Sequence, residues 1–328
     1  GRSRAACEQR GRGRVYLDFL LQVCRRVRDR GVRPMFWADV ILQYPELVPQ
    51  LPRDAVAVAW GYEAGHPFEE EAARLAQAGL EFYLCPGTSS WQSLVGRVPN
   101  LLANLREAAA AGLRHGASGL LIADWGDFGH WQPPCTAWPG WVAGAGHAWR
   151  ADAEPLDLAG LVDRCMLREP GAGVGRALAD LGRLESLTGA QVMNGTSWFF
   201  LLRHAHEPWT PIQGLTAEGL RRTEVRAVEI SAGLTEPARC ADRTLLALEE
   251  LRWAADLTAW ACRLGRGRMQ AGEGRQLADL PAAVRASLAR GIRPLIERMR
   301  ELWLRGSRPG GLADSARRLQ DLATLLGG

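Results

Sequence analysis

Lysine is missing from this sequence: all 40 basic residues are arginine, set against 36 acidic ones. Arginine- and alanine-rich usage is what a GC-rich genome produces, and a net charge of +4 over 328 residues does not by itself describe a nucleic-acid or membrane surface. The arginines at Arg2, Arg4, Arg10, Arg12 and Arg14 read as a solvated helix entry rather than a nucleic-acid arm. No run of about 18 apolar residues occurs, which excludes a hydrophobic membrane-spanning helix. No CxxC occurs either, and seven cysteines is an odd number. That excludes a disulfide framework and a zinc cluster, and free thiols in a reducing compartment such as the cytoplasm are the simplest inference. His204 and His206 have no third ligand close in sequence, so no metal is expected. Gly11-Arg12-Gly13 and Gly265-Arg266-Gly267 read as short turns and match no phosphate-binding loop, so no nucleotide cofactor is expected. A nucleophile elbow GxSxG is absent, which leaves Ser89, Ser90 and His130 without the signature of a serine hydrolase. A signal-peptide pattern is absent too; the chain opens at Gly1 on a polar turn, and an upstream part is expected.

Tryptophan, by contrast, is plentiful: 13 against 7 phenylalanines and 4 tyrosines. An indole suits places where a flat apolar face meets a partly polar partner, a sugar ring among them.

The first 150 or so residues alternate strand and helix. Val15 to Arg30 carries a helical stripe stopped by Gly31, and Pro34 to Trp37 reads as a strand. Ala55 to Trp60 is a second strand, Pro67 to Gln77 a helix, and Leu80 to Cys85 a third strand. Val98 to Leu113 is a helix, Gly119 to Ala123 a fourth strand, and Thr136 to Trp149 a last helix. Such βα alternation implies a parallel sheet. Beyond residue 151 strand signals vanish. Helical stripes run Leu156–Leu167, Gly175–Leu187, Leu215–Gly233, Ala238–Leu264, Leu280–Leu304 and Ala313–Leu325. Two domains follow, 1–151 and an all-helical 152–328, with Trp253, Trp260 and Trp303 expected in the helical core.

Each of the four strands ends on or near a tryptophan. The ends read Phe36-Trp37-Ala38-Asp39, Ala59-Trp60-Gly61-Tyr62, Tyr83 to Trp91, and Asp124-Trp125-Gly126-Asp127 through Gln132. Parallel α/β folds bind ligands at the C-terminal ends of their strands. Trp37, Trp60, Trp91 and Trp125, with Asp39 and Asp127, are therefore expected to line a carbohydrate pocket; rim packing is the competing reading and weighs equally from spacing alone. Asp39 and Asp127 could instead serve as an acid/base pair of another hydrolase class.

The segments FWADVI (Phe36–Ile41), AWGY (Ala59–Tyr62), YLCPGTSSW (Tyr83–Trp91) and DWGDFGHWQ (Asp124–Gln132) resemble the catalytic domain of glycoside hydrolase family 20, the β-N-acetylhexosaminidases. The likeness covers roughly residues 1–150, and the helical remainder looks like a C-terminal extension. It implies an α/β fold, the second half of a TIM (β/α)₈ barrel, with the four strands as the fifth through eighth. It also implies removal of terminal N-acetylhexosamine by substrate-assisted retention, in which the sugar's own acetamide oxygen attacks the anomeric carbon. By the resemblance, Trp37, Trp60 and Trp125 enclose the terminal sugar, Asp127 grips its hydroxyls, and Asp39 matches an acidic position of undefined role. The family's tyrosine after the seventh strand is replaced by GTSSW, where Trp91 or a serine hydroxyl would substitute. The catalytic pair of the family is an adjacent Asp-Glu, and this sequence contains no such dipeptide. The resemblance therefore puts the pair upstream of Gly1, with no catalytic residue in this chain and no hydrolysis by it alone. A non-catalytic glycan-binding barrel of the same family is the alternative. The expected partner is a carbohydrate, with no nucleic acid and no membrane; a homo-oligomer through open strand edges is possible on this reading.

Overall fold

The computed structural model of the chain describes residues 3–152 and 157–327; Arg2 and the expected helix start at Leu156 lie outside them. The elements are α1 (Arg4–Arg10), α2 (Arg12–Arg28), β1 (Met35–Trp37), β2 (Val56–Trp60), α3 (Phe68–Gln77), β3 (Glu81–Cys85), α4 (Val98–His115), β4 (Gly119–Leu120) and α5 (Trp138–Trp149). Helices alone follow: α6 (Leu158–Leu161), α7 (Val174–Leu181), α8 (Ser197–Arg203), α9 (Ala217–Gly233), α10 (Asp242–Ala271), α11 (Ala282–Gly306) and α12 (Leu312–Leu325). The chain divides into two compact units. Unit 1 is Gly1–Gly87, Leu101–Ala123 and Gly144–Glu154; unit 2 is Thr88–Asn100, Asp124–Ala143 and Pro155–Gly328. The loops after β3 and β4 thus group with the helical remainder, whereas the sequence pattern placed the division at 151.

Unit 1 is a mixed α/β body. Its strands are all parallel and lie in the order β1-β2-β3-β4. Partners in register point to the same side of a parallel sheet. Phe36, Ala57 and Phe82 therefore share one face, continued by Ala59, Leu84 and Leu120. Helices cover that face. α2 contributes Leu17, Leu20 and Cys24, α3 contributes Phe68, Ala72 and Leu75, and α4 contributes Ala108 and Ala111. The spacing on α2 and α3 is the three-to-four-residue stripe of an amphipathic helix, which is why both were legible. The other face carries Met35, Trp37, Val58, Trp60 and Tyr83.

β4 is shorter than expected because its ladder with β3 breaks after Leu120; pairing returns as one bridge, Gly87 to Ala123. α1 was not expected: Gly11, at φ +80°, separates it from α2. Gly11-Arg12-Gly13 is thus a helix junction, not a free turn. Gly13 is buried under the ring of Tyr44, 2.5 Å from where a Cβ would stand.

Unit 2 is built around α10, 30 residues long, which packs against α8, α9 and α11. The Gly265-Arg266-Gly267 stretch lies inside this helix and is not the turn read from sequence. A Cβ on Gly265 would meet Leu201 at 2.6 Å and Leu220 at 2.9 Å, so the glycine lets side chains of α8 and α9 seat against α10. α8 was missed because it is apolar nearly throughout, SWFFLLR, with no polar face to set a period. Trp260 and Trp253 are buried, their indole N–H groups donating to the carbonyls of Leu288 (3.0 Å) and Leu295 (2.8 Å). Trp303 is only half-buried. Among the described residues no helix is long and apolar enough to cross a membrane.

Candidate functional site

The six expected sugar-binding residues fall three to each unit. In unit 1, Trp37 and Trp60 end adjacent strands on the same face, and both rings are exposed, at 45% and 37%, whereas Val58 on that face is buried. The Trp37 carbonyl accepts from the Tyr16 hydroxyl at 3.2 Å, and the Trp60 ring stacks on Tyr62 with centroids 5.2 Å apart. Asp39 is exposed; with burial as the larger cause, its charge raises the pKa of the Tyr16 phenol. Gly61 follows Trp60 because the imidazole of His66 occupies the place where its Cβ would be.

In unit 2 the loops after β3 and β4 make a second cluster. Its centre is Asp124, a residue the sequence reading left without a role. Its Oδ1 accepts from the hydroxyl of Thr88 at 2.5 Å and from that of Ser90 at 2.6 Å. Thr88 and Ser90 are fully buried while Asp124 is exposed, so buried donors hold an accessible carboxylate. Trp125 beside it is 45% exposed, and its carbonyl accepts from the Gln132 side-chain amide at 2.8 Å. The Asp127 carboxylate accepts from Gln92 at 3.4 Å; Gln92 in turn accepts from Arg203 at 3.2 Å. The Arg203 guanidinium lies 3.3 Å above the Phe128 ring, a cation–π contact. Gly126 leaves room for an imidazole as Gly61 does: His130 Nδ1 fills the place of its absent Cβ. Burial lowers the His130 pKa, and the Asp124 charge pulls the other way. The imidazole is therefore neutral near pH 7 and can either donate or accept a proton.

Trp91 departs from the expected exposure. Its ring is buried, and its N–H donates to Asn194 at 2.8 Å. A buried indole braces the loop from within and has no face open to a sugar. Ser89 likewise is buried and accepts from Asn100 at 2.8 Å. Asp39 and Asp127 belong to different units.

The backbone carries a second signal. Among the described residues, seven non-glycine positions have φ in the left-handed region, and five of them lie in these two loops: Ser89, Gln92, Leu94, Phe128 and His130. A sixth, Asn194, is the partner of Trp91. Each such residue costs about 1 kcal/mol or more and persists only where the surroundings impose it, which is characteristic of binding and catalytic loops. Among the described residues no group of three or more His, Cys, Asp or Glu side chains could hold a metal ion.

No protein-family model matches the chain. No curated protein matches it. Among solved structures it is similar to a GH138 enzyme targeting pectin rhamnogalacturonan II, with 13% identity and a TM-score of 0.44. The match covers 89% of this chain and 41% of that enzyme, so the chain spans less than half of its neighbour's length, and that neighbour is a glycoside hydrolase of a family other than 20.

Proposed function

We propose that the chain supplies sugar-binding residues of a glycoside hydrolase. The observation that carries this is the Asp124 carboxylate, fixed by two buried hydroxyls on strained loops next to an exposed indole. Trp125 covers the apolar C–H face of a pyranose. Asp124 and Asp127 accept hydrogen bonds from its hydroxyls, and His130 is placed to exchange one of their protons. Trp37, Asp39 and Trp60 form the sugar-facing wall of unit 1.

The finer reading is a family 20-like β-N-acetylhexosaminidase on a (β/α)₈ barrel, with these strands as the fifth to eighth. The motifs at the strand ends support it. Because the sequence has no Asp-Glu dipeptide, these residues bind and orient the sugar, and the proton donor and acetamide-orienting carboxylate are contributed from outside the chain. In that scheme Trp91 does not touch substrate; it fixes the loop that presents Thr88 and Ser90 to Asp124.

Titration with N-acetylglucosamine and glucose, read by calorimetry, tests both levels. The expected result is saturable binding of N-acetylglucosamine, tighter than glucose and weakened by about tenfold or more in Trp125→Ala. A Trp125→Ala protein that binds as wild type but melts far lower returns this tryptophan to rim packing. Equal binding of the two sugars removes the N-acetylhexosamine specificity while leaving the sugar site.

A further inference from the structure

A cavity of about 160 Å³ lies within unit 2, apart from the carboxylate of Asp124 and lined by the segment from His130 to Pro134 together with residues of α10 and α11. Its walls are mostly apolar: Trp131, Trp253, Trp303, Met299 and Leu302. Two buried polar side chains line it, Gln132 at 3% exposure and Glu250 at 9%.

Their hydrogen-bond inventory is one-sided. The Gln132 amide nitrogen donates to the Trp125 carbonyl, which fixes the orientation of the amide, and its Oε1 has no partner among the described residues. Glu250 accepts from the buried Cys135 thiol, its one hydrogen-bond donor among the described residues. The donors of the walls are engaged elsewhere. The indole N–H of Trp131 goes to the Ser315 carbonyl (3.1 Å), that of Trp253 to Leu295 (2.8 Å), and that of Trp303 to Arg308 (2.7 Å). Among the described lining residues, the His130 imidazole and the Ser307 hydroxyl can act either way. A buried acceptor without a donor is costly, typically about 1–3 kcal/mol. What completes the cavity is therefore a molecule rich in donors, with an apolar body for the indoles and positive charge for the carboxylate.

We infer that this cavity is a binding site for a small organic ammonium, its N–H groups shared between Gln132 Oε1 and the Glu250 carboxylate and its hydrocarbon body against Trp253 and Trp303. The aromatic faces add cation–π attraction. The inference does not rest on the sugar-binding reading, although His130 lines the cavity and also stands beside Asp124.

Binding depends on pH through Glu250. Burial raises its carboxyl to about 7. The Cys135 thiol and the Arg305 guanidinium oppose that rise, and the neighbouring Glu249 adds to it. His130 also faces the cavity; burial lowers its pKa, and the Asp124 charge opposes that shift. Ammonium affinity therefore climbs as Glu250 ionises.

Calorimetric titration of the full chain with cyclohexylmethylamine and with cyclohexylmethanol, its uncharged counterpart, tests the assignment. At about pH 8 the amine binds about tenfold or more tightly than the alcohol, and the advantage shrinks towards about pH 5.5. Glu250→Gln abolishes the advantage. The assignment is overturned if neither compound binds, if the two bind equally at about pH 8, or if the preference survives in a folded Glu250→Gln protein. It is overturned too if N-acetylglucosamine displaces the amine, which would make the cavity part of a sugar site. The comparison of the two compounds on the wild-type chain stands alone should the variant not fold.

Discussion

At the scale of single residues, Asp124 separates positioning from binding. Thr88 and Ser90 both donate to Oδ1. An asparagine keeps an acceptor oxygen there but replaces the other oxygen with a donor. Asp124→Asn should therefore weaken N-acetylglucosamine binding by about tenfold while changing the melting temperature little. Removing the hydroxyls instead, in Thr88→Val/Ser90→Ala, leaves the carboxylate unanchored and should reduce stability as well as binding. A binding constant unmoved by Asp124→Asn, measured by calorimetry, removes this carboxylate from the sugar contact.

Glu185 gives a residue-scale prediction of another kind. Burial raises its carboxyl to about 7 even though the Ser197 N–H and hydroxyl, Arg97 and Thr188 favour the charged form. The folded chain thus holds this proton more tightly than the unfolded chain, whose ordinary value is 4.5. The stability associated with the bound proton is complete below that ordinary value and declines as pH rises towards 7. Urea unfolding of wild type and Glu185→Gln should show the difference between them shifting against the wild type by about 1–3 kcal/mol between about pH 4.5 and pH 8. A pH-independent difference contradicts a raised carboxyl.

At the scale of elements, the loop after β3 is held in its strained path by close packing. A Cβ on Gly140, in α5, would stand 2.6 Å from the Thr88 Cα, a backbone atom that cannot swing aside. Gly140→Ala should cost about 1–3 kcal/mol and, by displacing Thr88, loosen its grip on Asp124, so that melting temperature and sugar affinity fall together. Loss of stability with affinity intact would show that the loop absorbs the shift elsewhere. This same loop marks where sequence reading stops. The strands were legible because each is an apolar run closed by a turn, and the tryptophans because they stand at those ends. The partners of Asp124 were not, since Thr88 and Ser90 lie 36 and 34 residues away and share no local spacing with it. Trp91 looked like its three counterparts because its burial depends on Asn194, 103 residues on. Left-handed backbone at Ser89, Gln92 and His130 has no glycine to announce it. The interleaving of the two units escaped for the same reason: long-range packing, not local pattern, assigns these loops to the helical body.

At the scale of the whole molecule, the parallel sheet leaves work undone. β1 pairs only with β2 among the described residues, so no strand lies on its outer side, where the Trp37 carbonyl accepts from the Tyr16 hydroxyl. Phe36 is buried under helices, whereas its neighbours Met35 and Trp37, on the opposite face, are half-exposed. An edge of this kind recruits a strand from another chain unless charge or brevity blunts it. Here both devices are present in small measure. The strand has three residues, and the adjoining Arg33 is tied to Glu81 at 2.5 Å, which removes much of its repulsive reach. A net charge of +4 over the chain adds little repulsion between copies. Apolar exposure therefore outweighs electrostatics, and the chain should self-associate at micromolar concentration. Met35→Glu puts a charge on the edge strand and should shift the population towards monomer with little change in melting temperature, because Met35 is already half-exposed. Size-exclusion chromatography with light scattering reads both states. A wild-type chain that runs as a monodisperse monomer would mean that three residues are too short an edge to recruit a partner.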